Sequence, residues 1–373
     1  MNANAPTKTT NPWLYWFAVL TAFFTFLLLG LGGLVTSHEA GMSVPDWPNT
    51  YGNNMFLFPP AQWIGGIFYE HTHRLLASAV GLMTTILAVW LWLKDSRPWM
   101  HWLGVAAFLL VVAQGVLGGL RVTMHMDSLG IYHATIAQLF FVLTCALALF
   151  TSRWWKGLER QPPARREEIS ADKHAVPEAG APLRGLVLFT TILIFGQLII
   201  AAAMRHQHAG LAISDFPLAH GKLWPDTGAD AVARYNAQRV SINAENPITA
   251  FQIELQMAHR VVALAILILT AVSAWQAWRR LGGKDLLTKL ALAWVALILL
   301  QVGLGAATIW TNKAAAVATG HVLVGALALA VGTLWCVIAF RESAAAVYGR
   351  RTDERRSPGA ATMGAQPAMT GNK

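Results

Sequence analysis

The sequence places a carboxylate, two imidazoles and a guanidinium within five positions, Glu70, His71, His73 and Arg74 of EHTHR, and follows them at once with the apolar run LLASAVGL. These residue types cover three kinds of chemistry. A carboxylate exchanges protons, an imidazole exchanges protons or ligates a metal, and a guanidinium grips a carboxylate in a planar, two-bond geometry. Related residues recur further along: His133 in YHATIAQL, His259 and Arg260 in QMAHRVVA, and His321 in GHVLVGAL each sit in or beside an apolar run. A single histidine in such a place is more often a hydrogen-bonded structural residue than a ligand. Intramembrane ionisable groups nevertheless lean towards function, so the pattern among them has to decide.

The elements that must carry these residues follow from composition. Of 373 residues, 55% are hydrophobic and only 13% charged, and the mean hydropathy is +0.45, which marks an integral membrane protein. Apolar runs of membrane-spanning length fall at 13–36, 74–94, 99–122, 131–151, 184–204, 249–277, 286–310 and 314–340. These predict eight transmembrane helices. The runs are continuously apolar rather than alternating, which excludes a β-barrel. Basic residues cluster in 152–184, 278–289 and the C-terminal tail, whereas none occurs between 37 and 69 and the long 205–248 loop has only Arg205, Lys222, Arg234 and Arg239. Positive loops stay inside, so both termini are expected in the cytoplasm. The net charge of +9 then reflects topology, and nucleic acid is not an expected partner. Cys145 and Cys336 fall inside spans as packing residues, with no disulfide or metal motif.

The chain also repeats itself. AGMSVPDWP at 40–48 matches AGLAISDFP at 209–217, EHTHRLLA matches QMAHRVVA, AQGVLGG at 113–119 matches LQVGLGA at 300–306, and YHATIAQL matches GHVLVGAL, all in the same order. The offsets are 169, 186, 187 and 188. Four spans return the chain to its starting side, so the expected fold is all-α, with two tandem pseudo-symmetric four-helix bundles in a parallel repeat. The expected divisions are a cytoplasmic N-terminus 1–12, a first bundle 13–151, a cytoplasmic linker 152–183, a second bundle 184–340 and a disordered cytoplasmic tail 341–373.

The repeat sorts the twelve histidines. His73 pairs with His259 and His133 with His321, while His71 aligns with Met257 and drops out. In each half the pair lies at the outer ends of the second and fourth helices, diagonal neighbours in an up-down bundle. No thiolate accompanies them, which argues against tetrahedral zinc and iron–sulfur sites. Axial ligation of haem iron suits two imidazoles, because the porphyrin supplies four nitrogens itself. Each half is therefore expected to hold one haem.

Several neighbouring residues have two readings each. Arg74 and Arg260 either snorkel to lipid headgroups or pair with a haem propionate. Gly115, Gly118, Gly119, Gly303 and Gly305 permit close helix approach or make room for a macrocycle. SVPDWP and AISDFP are turns with an interfacial aromatic anchor or lids over the haem faces. Glu70 stands one helical turn before His73, where the second half has Gln256. A glutamine cannot exchange a proton, so the half competent in acid–base chemistry is the first. The bland reading of Glu70 is a solvated carboxylate at a helix N-terminus.

Together, GGLVTSHEAGMSVPDWP, EHTHRLLA, the Gln-Gly-x-x-Gly-Gly run at 114–119, YHATIAQ, AHRVVA and GHVLVGAL resemble the haem A synthases through all eight spans in order. The resemblance implies conversion of the C8 methyl of haem O to the formyl group of haem A by successive hydroxylations, for cytochrome oxidase. It implies a catalytic substrate site of Glu70, His73 and His133 in the first half. A resident haem b would be ligated by His259 and His321 in the second, with Arg74 and Arg260 as candidate propionate partners. Further partners it implies are an electron donor the chain does not identify, the haem O-forming farnesyltransferase and oxidase assembly factors. Membrane lipid surrounds the fold, and a homo-oligomer is compatible with it.

Some members of that family carry a cysteine pair in the first outer loop; this chain has none between 37 and 69, so no thiol–disulfide role is expected there. MNANAPTKTT shows neither a secretory nor a transit pattern, which points to a bacterial cytoplasmic membrane. Two other classes fit parts of the pattern. A di-haem b-type electron-transfer protein would account for the histidines but not for the difference between Glu70 and Gln256. A transporter with parallel repeats would favour broken helices at the midplane.

Overall fold

The computed structural model describes residues 12–160, 176–239 and 247–356. Among them are eight helices long and apolar enough to cross a membrane: α1 (Pro12–Ser37), α2 (Gly66–Lys94), α3 (Pro98–Thr123), α4 (Ser128–Thr151), α5 (Val176–His206), α6 (Ala250–Leu281), α7 (Leu286–Trp310) and α8 (Ala315–Arg356). Helices suit a lipid solvent because every backbone group inside them is satisfied within the segment. Each of the two halves closes into a ring. In the first, α1 and α3 both pack on α2 and α4; in the second, α5 and α7 both pack on α6 and α8. The halves meet along a seam where α1 and α4 lie against α8, and α4 against α5. The seam is tight because Gly33 of α1 faces Thr319, where a Cβ would stand 2.9 Å from the Thr319 methyl, and Gly30 faces Leu323.

Helix limits differ from the apolar runs where polar residues lie inside a helix. α2 begins at Gly66, not at 74, so Glu70, His71 and His73 sit within it rather than at its mouth. Hydropathy stops at ionisable side chains, whereas the backbone ladder does not. α8 continues past 341 to Arg356, through a stretch rich in Ala, Arg and Glu, all strong helix formers, and is helical where a disordered tail was expected. Residues 357–373 and 1–11 lie outside the described residues. The expected linker is also partly ordered: a short helix covers Arg153–Arg160 and α5 starts at Val176, while 161–175 lie outside the described residues.

The end of the bundles opposite the paired histidines is tied by charge. Arg97 bonds Asp95 at 2.7 Å and Glu159 at 3.0 Å. Arg341 of α8 lies 3.9 Å from Glu159 and 4.3 Å over the Trp155 ring, so this network spans both bundles. Inside the second bundle, buried Trp294 and Trp335 donate their indole N–H to the carbonyls of Ala328 and Leu287, each at 2.8 Å. Such bonds between helices contribute about 0.6 kcal/mol each in a membrane.

The loop 38–65 and the described parts of the second loop, 207–239 and 247–249, lie at the other end. Asp46 accepts the N–H groups of Tyr51 and Gly52 at 2.8 and 2.7 Å, and Asp215 accepts those of His220 and Gly221 at 2.7 and 2.9 Å. Both aspartates therefore build the same turn. Each turn closes with an isolated two-residue bridge, Thr50 to Asn53 and Ala219 to Lys222.

Candidate functional site

All four repeated histidines lie within the first three turns of even-numbered helices, at the long-loop end. His259 and His321 face each other across the second bundle with ring centroids 6.3 Å apart and planes inclined by 58°. His73 and His133 of the first bundle lie close enough to interact electrostatically. Nδ1 of His73 and of His259 is buried without a hydrogen-bond partner, whereas the rings of His133 and His321 lean on the backbone of Gln114 and Gln301 in the neighbouring helix; an orphaned polar atom in a buried site costs about 1–3 kcal/mol. The same pairing, an orphaned ring on the second helix and a backbone-braced ring on the fourth, recurs in both halves, and this recurrence separates the four from His71, whose Nε2 is also buried without a partner.

Matched glycines make the space beside these rings. A Cβ on Gly118 of α3 would stand 3.4 Å from Cε1 of His133, and one on Gly305 of α7 would stand 3.1 Å from Cε1 of His321. Gly32 of α1 similarly faces His73, at 3.2 Å. Gly115 and Gly303 have no neighbour within 4 Å of a built Cβ, so of the glycines in the motif it is Gly118 and Gly305 that touch the candidate ligands.

The ring spacing tests whether an iron porphyrin fits. A ligating imidazole nitrogen stands about 2 Å from its metal, so two imidazoles on opposite faces of one iron hold their ring centres about 6 Å apart. His259 and His321 meet that spacing with 6.3 Å. No cluster of three or more His, Cys, Asp or Glu suited to a metal ion occurs among the described residues, so a metal here needs a macrocycle to complete its coordination. The residues fit the group.

Glu70 is buried, 4% exposed, which excludes a solvated helix-end carboxylate. Its Oε2 accepts the Val44 N–H at 2.8 Å and its Oε1 accepts from Arg74 at 2.7 Å. Gln256 occupies the same place in the second half: its Oε1 accepts the N–H of Ile213, the residue matching Val44, at 2.7 Å. Both side chains therefore clasp a loop to a helix. Arg74 completes the clasp by donating to the carbonyls of Asp46, Asn49 and Val44. Arg260 donates to those of Leu218 and Asp215 and lies over the Phe216 ring, keeping one buried Nε without a partner. Neither arginine simply snorkels, and a propionate on either would have to share it with the loop. The aromatic of each loop motif lies against its bundle. Trp47 packs so closely on Gly119 that a Cβ there would collide with the indole, and Phe216 meets Trp310 edge-on at 6.1 Å. His71 is fully buried between Phe58 and Trp63, with Nδ1 3.2 Å from the Thr50 hydroxyl. That is a packing role.

The COX15-CtaA family, described as cytochrome oxidase assembly protein, matches residues 15–333. The chain belongs to this family. Among similar proteins, heme A synthase of Shewanella oneidensis is 26% identical over 83% of this chain and 91% of its own length. That of Rhizorhabdus wittichii is 26% identical over 89% and 94%. The match to heme A synthase of Shouchella clausii, at 27% identity, covers 57% of this chain and 66% of that protein.

The COX15-CtaA match takes in all four histidines and both loops. Two charged residues at the same end escaped the reading of the sequence. Charge distribution assigns Arg205 to the 205–248 loop, yet it lies in α5 and bonds the Gly33 carbonyl and the Ser37 hydroxyl of α1 across the seam. Arg121 lies in α3 and pairs with Asp127 at 3.0 Å. Both are cations within spanning helices, a signal present in the sequence, but the repeat reproduces neither.

Proposed function

We infer that this chain is a haem A synthase, an enzyme of haem A biosynthesis that oxidises the C8 methyl group of haem O to the formyl group of haem A by successive hydroxylations. The observation that carries this reading is the facing imidazole pair His259 and His321, with His73 and His133 at the matching places of the other half. In the first half His73 and His133 hold the substrate haem O between α2 and α4. Its farnesyl tail is apolar and stays in lipid between helices. In the second half His259 and His321 would hold a resident haem b, which supplies one-electron transfer when bound.

Glu70 takes the proton-handling role. Gln256 makes the same loop bond as Glu70, so anchoring the loop does not require a carboxylate. What the first half gains from the exchange is a group that can take up or release a proton. Arg74 holds that carboxylate in place one turn from His73, and the clasped loop with Trp47 over α3 limits the access of water. On the distribution of basic residues, the long-loop end would lie outside a bacterial inner membrane, with both termini in the cytoplasm.

Supplying haem O, a reductant and dioxygen to the purified full-length protein in lipid, then extracting and separating the haems, tests this function. Appearance of haem A is the expected result. Recovery of haem O alone, from protein whose histidine-ligated haem spectrum is intact, would leave only an electron carrier.

A further inference from the structure

Each half brings one cation to its histidines that the internal repeat does not reproduce. Arg121 aligns with Thr308, and Arg205 with Thr36. On α3, Arg121 lies three residues beyond Gly118, hence on the same helical face one turn nearer the long-loop end, and Gly118 is the residue against which the His133 ring rests. The Arg121 charge acts on both His73 and His133. It is packed against the first loop at Gly41, where a Cβ would stand 2.5 Å from Nη1. Arg205 stands at the seam beside the second half: it bonds the Gly33 carbonyl, and Gly33 touches Thr319, two residues before His321.

The two guanidiniums share an unusual bonding state. Arg121 bonds only through Nη2, to Asp127, whose side chain is 61% exposed, and its Nε is buried without a partner. Arg205 also bonds only through Nη2, to a carbonyl and a hydroxyl, and faces no acidic group within ion-pair distance among the described residues. His206, next in sequence, is wedged against Gly130 of α4 and feels both charges. Positive charge thus exceeds negative charge in a partly dry region between the sites. Burying unbalanced guanidiniums is costly unless an anion arrives with a ligand. Arg74 and Arg260, by contrast, already spend both terminal nitrogens on the loops.

We propose that Arg121 in the first half and Arg205 in the second bind the carboxylate edge of the macrocycle held by the neighbouring histidines. This rests on the reading of both sites as haem sites. A porphyrin with two ionised propionates presents the planar acceptors that a guanidinium fork matches. The other edge of the macrocycle then points away from the seam and the loops.

The test is titration of the haem-depleted full-length protein with iron protoporphyrin IX and with its dimethyl ester, which keeps the iron and the ring but lacks the carboxylates. Wild-type protein should prefer the diacid by about tenfold to a hundredfold, the worth of one or two charge-assisted hydrogen bonds. Arg205→Gln should abolish that preference at the His259–His321 site and retain it at the other, and Arg121→Gln should do the reverse. The unaffected half of each variant reports that the protein is folded, and Arg205→Lys should restore part of the preference. Binding of both porphyrins with an unchanged preference in the glutamine variants overturns the assignment while leaving the haem sites standing. Failure of wild-type protein to bind either porphyrin overturns the haem sites as well.

Discussion

Replacing Glu70 by Gln separates anchoring from chemistry, because the second half already shows what a glutamine does at this position. The carboxamide oxygen of the Glu70→Gln variant would keep the bond from the Val44 N–H, as Gln256 keeps that from Ile213 at 2.7 Å. The change removes the ionic character of the 2.7 Å pair with Arg74, whose side chains are 10% and 5% exposed. Removing one partner of a fully buried ion pair costs about 3–5 kcal/mol. Arg74 retains three loop carbonyls, however, so the loss reduces to one charge-assisted bond, about 2 kcal/mol. At about 2–4 °C per kcal/mol, the melting temperature should fall by about 4–8 °C. Conversion of haem O should fall far more, by about a hundredfold to ten-thousandfold, the usual worth of a positioned acid or base. Glu70→Ala also orphans the Val44 N–H and should cost about 1–3 kcal/mol more. Thermal unfolding followed through the haem band, with chromatography of extracted haems, gives both numbers. If the glutamine variant melts within the expected range and converts haem O at the wild-type rate, Glu70 is only a loop anchor and its proton role is refuted.

Three further outcomes follow from the geometry. Gly305→Val should push the His321 ring aside, because a Cβ alone would stand 3.1 Å from its Cε1; the second-half haem spectrum should change while the first-half spectrum does not. His71→Ala should lower stability by about 2–4 kcal/mol through lost packing and the Thr50 bond, yet leave haem content at the wild-type level on pyridine haemochrome assay. Burial raises the Asp46 pKa, but the N–H groups of Gly52 and Tyr51 and the Arg74 charge outweigh it and hold the carboxyl below its ordinary 3.8. A depressed folded-state pKa contributes stability that is present above the unfolded value and lost as pH falls through the folded one. Hydrogen exchange at Tyr51 and Gly52 should therefore be protected throughout about pH 5–8 and lose its protection only below 3.8, whereas Asp46→Asn should weaken it at neutral pH.

The spans are legible in hydropathy, and the candidate histidines in the internal repeat. Hydropathy located eight helices because lipid demands long apolar segments, and it misplaced the start of α2 because Glu70, His71 and His73 interrupt the apolar run without interrupting the helix. Self-similarity selected His73, His133, His259 and His321 and discarded His71, which the structure buries as a packing residue. The same filter hid Arg121 and Arg205, since a comparison of two halves registers only what they share. The loop clasp was also hidden. That Glu70 and Gln256 both accept a backbone N–H from residues 26 and 43 positions earlier depends on how far each loop folds back, which no local pattern encodes. Trp47 on Gly119 is a contact of the same kind.

On the proposed function, two imidazole pairs, one per bundle, each grip one iron porphyrin. Low-temperature electron paramagnetic resonance of the purified, haem-loaded protein and of its His321→Ala variant tests it most directly. A low-spin ferric signal of bis-imidazole type is expected from the second half and should disappear in the variant, while the haem of the first half keeps its own signal. An unchanged low-spin signal in His321→Ala would contradict it.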